Sequence, residues 1–113
     1  MIITNDRAFV EIWGYRIVKF PFSDGTAFKK RPALVINDFK DGDIIVCRIT
    51  SQIYKSKQDV IVVNWEKAGL RLPSVIRVHK IATLDKGMIE MIIGKIDEST
   101  VKKVKRIIKC LAD

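Results

Sequence analysis

The sequence predicts a mainly β domain: a small closed or half-closed barrel of short strands finished by one helix. Three observations predict it. Apolar runs rich in Val, Ile and aromatic residues recur between turn signals, which is the signature of short strands. Helical periodicity is confined to the end of the chain. At 113 residues there is room for one compact domain and one core, without separate catalytic and cofactor domains. A barrel also removes the exposed edges that such apolar strands would otherwise carry.

Ile17 to Phe22 is β-branched and aromatic, and Pro21 suits an edge or a strand end. Ser23 to Lys30 supplies turn residues and charge and reads as a loop. Pro32 to Asn37 and Ile44 to Thr50 are apolar strands around Asp41-Gly42-Asp43, a hairpin signal. A basic, polar loop, Ser51 to Gln58, precedes a strand from Val60 to Trp65, and Gly69 and Pro73 punctuate the excursion after it. Ser74 to Leu84 is the longest strand, and Met88 to Ile96 fits a short strand or a single helical turn. Asp97 is the expected N-cap of a helix over 97–111, with Val101, Val104, Ile107, Ile108 and Leu111 forming its apolar stripe. Lys102, Lys103, Lys105, Arg106 and Lys109 form its solvated face. The whole of 1–113 is expected to be one domain, with 1–12 an N-terminal extension of undetermined structure.

Composition narrows the function. No apolar run approaches bilayer-spanning length, and the N-terminus lacks the basic start and apolar core of a signal peptide. A cytoplasmic location without membrane attachment is expected. Cys47 and Cys110 are far apart, share no metal-ligand spacing, and read as buried free thiols. Lys and Arg number 21 against 13 Asp and Glu, a net charge of +8, which favours a polyanionic partner. There is no phosphate-cradling or dinucleotide glycine motif and no nucleophile elbow. His79 is the only histidine. No cofactor and no built-in metal are expected.

The remaining repertoire of Arg, Lys, Thr, Ser, Asp, Glu and one His is sufficient for RNA cleavage. There the substrate's own 2′-hydroxyl is the nucleophile. The protein must align it, take its proton, stabilise the phosphorane and protonate the leaving oxygen. Arg31 stands before Pro32, which biases it toward extended backbone, and it follows Lys29 and Lys30. Thr50, Ser51 and Gln52 end a strand with hydroxyl and amide groups. Arg77 and His79, two apart on a strand, share a face. Each has a plainer alternative: Arg31 as a surface residue beside a turn, Thr50 as a β-former, His79 as a structural imidazole, Arg77 as half of a salt bridge.

The segments that carry these residues resemble the MazF/PemK toxins. Lys19-Phe20-Pro21-Phe22-Ser23-Asp24 and Lys30-Arg31-Pro32-Ala33-Leu34-Val35-Ile36 resemble the family's first strand, loop and Arg-Pro strand. Cys47-Arg48-Ile49-Thr50-Ser51-Gln52 resembles its strand ending in Thr-Ser/Ala-Gln, and Gly69-Leu70, Pro73-Ser74 and Arg77 to Asp85 resemble its later conserved stretch. Order and spacing are kept from about Ile17 to Ile96.

The resemblance implies an SH3-like barrel, a homodimer, and sequence-specific cleavage of single-stranded RNA to 2′,3′-cyclic phosphate and 5′-hydroxyl ends. It also implies inhibition by an antitoxin. The family's catalytic Arg and Thr fall on Arg31 and Thr50. An Arg-x-Asp pair of plasmid-borne members falls on Arg77 and His79, so that an imidazole replaces the carboxylate base. Where the family opens its first strand with Gly-Asp, this chain has Trp13-Gly14-Tyr15-Arg16.

The expectation is therefore a toxin acting as a metal-independent endoribonuclease, with Arg31, Thr50, Arg77 and His79 catalytic. Lys29, Lys30, Ser51, Gln52, Lys55 and Lys57 are expected to bind RNA. The alternatives are a non-catalytic nucleic-acid- or peptide-binding barrel, and a DNA-binding autoregulator acting in complex with an antitoxin.

Overall fold

The computed structural model describes residues 10–21 and 27–112. Its strands are β1 (Gly14–Pro21), β2 (Phe28–Asp38), β3 (Asp43–Thr50), β4 (Asp59–Ile61), β5 (Val75–Asp85) and β6 (Ile89–Lys95), followed by α1 (Glu98–Cys110). All pairings are antiparallel, and the strands form one sheet in the order β4-β5-β3-β2-β1-β6. Mainly β with a C-terminal helix is therefore correct. The closed form of the expected barrel is not found: β4 and β6 are the two edges, and no ladder joins them among the described residues. Register shifts in the β1–β6, β2–β3 and β3–β5 ladders bend the sheet instead.

Both faces of the central strands are buried, which explains why they read as continuous apolar runs rather than alternating ones. Leu34, Cys47, Ile49, Ile76 and Val78 point into one cluster, which α1 covers with the fully buried Val104 and with Val101, Ile107 and Ile108. Ala33, Val35, Ile44 and Val46 point to the other, closed by Val10, Phe20, Ala82, Leu84, Met88 and Ile89. Each fully buried aliphatic side chain contributes about 1.5–3 kcal/mol relative to exposure.

Turn chemistry sets the connections. Between β2 and β3 the backbone is left-handed at Lys40 and Gly42, the second being the glycine of the expected hairpin signal. Asp38 fastens this corner: Oδ1 accepts from the Lys40 amide and pairs with Lys86 Nζ at 2.9 Å, and Oδ2 accepts from the Val10 amide. These donors outweigh burial and hold its carboxyl below the usual range. Asp97 caps α1 by accepting from the Thr100 amide, as expected.

Three local expectations are corrected, and one left with two alternatives is decided. Strand β2 begins at Phe28, inside the expected loop, because Phe28, Lys29 and Lys30 pair with β1. The expected strand from Val60 to Trp65 stops at Ile61; helix-like turns follow, Leu70 N–H donating to Trp65 O, and Gly69 ends them at φ +87°. A Cβ at Gly69 would stand 2.8 Å from the Ile93 carbonyl oxygen. The segment from Met88 to Ile96 is a strand, preceded by a 3-10 turn over Lys86–Met88. Cys47 is buried as expected, but Cys110 is exposed. Met1 to Phe9, most of the expected N-terminal extension, lie outside the described residues.

Candidate active site

Strand register places the expected residues. Ala33 of β2 is opposite Arg48 of β3, so the same register carried two residues further sets Arg31 opposite Thr50. Directly opposed residues share a face and stand about 4.5–5.5 Å apart. On the other side of β3, Arg48 is opposite Arg77 and Thr50 is opposite Val75, and β4 sets Asp59 opposite Arg77. One face of the sheet thus carries Arg31 and Thr50 in one row, and Ala33, Arg48, Arg77 and Asp59 in the next. This face is the continuation of the Ala33, Val35 and Val46 cluster beyond its apolar end. Lys29 alternates onto the same face. Lys30 is turned to the opposite one beside Lys19, and both lie near Glu90 (Lys19 Nζ at 2.8 Å, Lys30 Nζ at 3.8 Å).

The four expected catalytic residues differ in how they are held. Arg31 is half-buried and, among the described residues, no carboxylate lies within ion-pair reach of it. Thr50 ends β3, and its hydroxyl oxygen accepts from the Gln52 amide at 3.1 Å, which leaves the hydroxyl hydrogen available for donation. Arg77 is fixed on two sides. Its Nε donates to Asp59 Oδ1 at 2.9 Å, and its guanidinium lies 3.6 Å from the centre of the Tyr54 ring. The salt-bridge alternative for Arg77 is thus realised, through its Nε. His79 is exposed, at the irregularity where the β3–β5 register shifts between Cys47 and Arg48.

Asp59 also shapes the loop between β3 and β4. Its Oδ2 accepts from the Ser56 amide at 2.9 Å and the Ser56 hydroxyl at 2.7 Å. Arg77 and Ser56 together outweigh the effect of burial and lower the Asp59 pKa. The exposed Ser51, Gln52, Lys55 and Lys57 are on this loop. Fastened at Ser56 to β4 and at Tyr54 to Arg77, the loop borders the cationic face. Among the described residues, no three His, Cys, Asp or Glu side chains converge as a metal site, and no helix is long and apolar enough to cross a membrane.

Arg48, Tyr54 and Asp59 were not among the residues singled out in the sequence. Arg48 stands two residues before Thr50, so strand alternation alone puts the two on one face. The link between Tyr54, Asp59 and Arg77 has no sequence signal, because it depends on β4 pairing with β5.

Comparison with known proteins agrees with this architecture. No curated protein matches the chain by sequence. Its fold is similar to that of MazF in a MazE–MazF crystal structure from Deinococcus radiodurans, with TM-score 0.74, 16% identity and coverage of 91% of this chain and 95% of that one. It is also similar to the Mycobacterium tuberculosis toxin MazF-mt6, with TM-score 0.68, 20% identity and coverage of 86% and 93%. A third is a mycobacterial endoribonuclease in complex with its cognate antitoxin, with TM-score 0.70, 14% identity and coverage of 91% and 95%. The sequence profile of the PemK-like, MazF-like toxins of type II toxin–antitoxin systems matches residues 14–111, from the start of β1 to the C-cap of α1. The chain belongs to the PemK-like, MazF-like toxin family of type II toxin–antitoxin systems.

Proposed function

We propose that the chain is an endoribonuclease toxin that cleaves single-stranded RNA at short sequence motifs without a metal ion. The observation that carries this is the β2–β3 register, which continued two residues past the Ala33–Arg48 pair sets Arg31 opposite Thr50, with no carboxylate paired to Arg31 among the described residues. In this reading Thr50 donates to one phosphate oxygen and Arg31 to another. His79 accepts the 2′-hydroxyl proton as the 2′-oxygen bonds to phosphorus. Arg77, its Nε held by Asp59, stabilises the phosphorane with its terminal nitrogens. Breakage of the bond to the 5′-oxygen then leaves a 2′,3′-cyclic phosphate, and the 5′-oxygen takes a proton from Arg31. Lys29 on the same face and Ser51, Gln52, Lys55 and Lys57 on the β3–β4 loop contact the RNA.

The protein acts in the cytoplasm as a homodimer. The exposed Met91 and Ile92 on edge strand β6 offer apolar area for a second copy to cover. An antitoxin inhibits it by laying an acidic, disordered segment across the cationic face, and the complex binds operator DNA.

The test incubates the purified protein, free of antitoxin and in EDTA, with a long single-stranded RNA, and maps the product ends. Discrete fragments with cyclic phosphate ends, lost in Arg31→Ala, are expected. RNA that is bound but intact would overturn the catalytic reading in favour of a binding module.

A further inference from the structure

Arg48 is the residue on this face that the fold does not account for. It is exposed, and among the described residues its guanidinium has no ion pair, hydrogen bond or ring contact. It is directly opposite Arg77, and like charges across a strand pair destabilise a sheet. Asp59, on the far side of Arg77, is bound to that arginine and to Ser56, so the row holds two arginines and one carboxylate. A sequence serving stability alone would put a neutral or acidic side chain at this position.

The register explains what Arg48 gains there. It is the diagonal neighbour of Arg31, about 7–8 Å away between backbones, and it stands two residues from Thr50 on the same face. Arg77 is one strand further from Arg31 than Arg48 is. Across the row, Ala33 presents only a methyl group and is fully buried, so no long side chain of β2 stands between Arg31 and Arg48. The register therefore puts two forked donors, Arg31 and Arg48, and the Thr50 hydroxyl side by side on one face, a donor set that suits the oxygens of one phosphate group.

We propose that Arg48 is a phosphate ligand of this site, gripping a backbone phosphate of the RNA together with Arg31 and Thr50. The inference rests on the ribonuclease reading for the identity of the anion, but not for the existence of the anion site. Unlike Arg77, Arg48 reaches the phosphate free of any internal counterion among the described residues. It therefore supplies a full counterion-releasing contact.

The test uses binding as well as cleavage. The probe is a mixed-sequence single-stranded RNA that is fully 2′-O-methylated, so that it has no 2′-hydroxyl to attack. Its affinity is measured across a salt series for wild type and for Arg48→Gln, Arg48→Lys and Arg48→Glu. Loss of one phosphate contact on a single strand lowers the slope of log affinity against log salt by about 0.7. Arg48→Gln is expected to show that change and about ten-fold weaker binding at low salt, and Arg48→Lys to restore the slope. Arg48→Glu is expected to bind worst and to melt higher than wild type, since it exchanges a repulsion with Arg77 for an attraction. A merely structural Arg48 would do the reverse, with a lowered melting temperature and an unchanged slope.

Equal slopes in wild type and Arg48→Gln would overturn the proposal, as would a wild type that does not bind the probe. Unmodified RNA is assayed in parallel with Arg31→Ala. If wild type binds with the expected slopes but cleaves nothing, the ribonuclease reading falls while the phosphate site stands.

Discussion

The pair formed by Asp59 and Arg77 is the interaction whose removal has the most calculable effect, and Asp59→Asn is the least intrusive way to remove it. The Asp59 side chain is 2% exposed and that of Arg77 15%. All three groups facing the carboxylate act as donors: Arg77 Nε, the Ser56 amide and the Ser56 hydroxyl. An asparagine has one acceptor oxygen, so its NH2 must face either the guanidinium or the Ser56 amide. Breaking a fully buried ion pair costs about 3–5 kcal/mol. Here the residual exposure of Arg77 and its stacking on Tyr54 reduce that to about 2–3 kcal/mol. For a domain of this size, 1 kcal/mol moves the melting temperature by about 3–6 °C, so a fall of about 10 °C is expected by calorimetry or circular dichroism.

The pH dependence gives a second check. The folded-state pKa of Asp59 is lowered. Its stabilisation is therefore fully present above the unfolded value of about 3.9 and is lost as pH falls through the folded one. The gap between wild type and Asp59→Asn should close below about pH 4. A fall of less than about 3 °C at neutral pH, or a gap that persists unchanged to about pH 2, would refute the reasoning. If the loop is fastened by this pair, RNA cleavage should also suffer, with KM rising more than kcat falls.

Other expectations follow from single contacts. Asp97→Ala removes the N-cap of α1, whose Oδ1 accepts from the Thr100 amide at 3.3 Å, and should cost about 1 kcal/mol in urea denaturation. Gly69→Ala puts a side chain at φ +87° against the Ile93 carbonyl, and should cost about 1–3 kcal/mol by the same assay. Burial pushes the Cys47 thiol up to about 12, and that thiol donates to the Val78 carbonyl oxygen. A thiol reagent at pH 8 should therefore label only the exposed Cys110 in the native protein and both cysteines in denaturant, with labelling followed by mass spectrometry.

Much of this molecule was determined by local chemistry that is written along the chain. The β-branched runs from Pro32 to Asn37 and Ile44 to Thr50 became β2 and β3, and Asp41-Gly42 marked the turn between them because only certain residues tolerate its left-handed backbone. The period of Val101, Val104 and Ile108, with Asp97 before it, defined α1 to within a residue or two. Arg31, Thr50, Arg77 and His79 could be singled out because residue type, strand alternation and family resemblance are all properties of short segments. Ile61 and Trp65 show the limit of that approach: a β-branched run looks like a strand wherever it occurs, but only Asp59–Ile61 finds a partner, on β5.

Tertiary structure alone decided which strands are neighbours, and with that which charges meet. The β4–β5 ladder brings Asp59 to Arg77 from 18 residues away, and no spacing rule can supply that distance. The β3–β5 ladder sets Arg48 against Arg77, while the β2–β3 register, continued past Ala33 and Arg48, brings Arg31 toward Thr50. The same alternation that could be read along one strand turned Lys30 to the face opposite Lys29, because pairing with β1 extends β2 through a stretch that reads as loop. The physical reason is common to all of these. Side-chain chemistry and periodicity act over a few residues, whereas register is a property of two segments. It is set by the joint burial of their apolar faces.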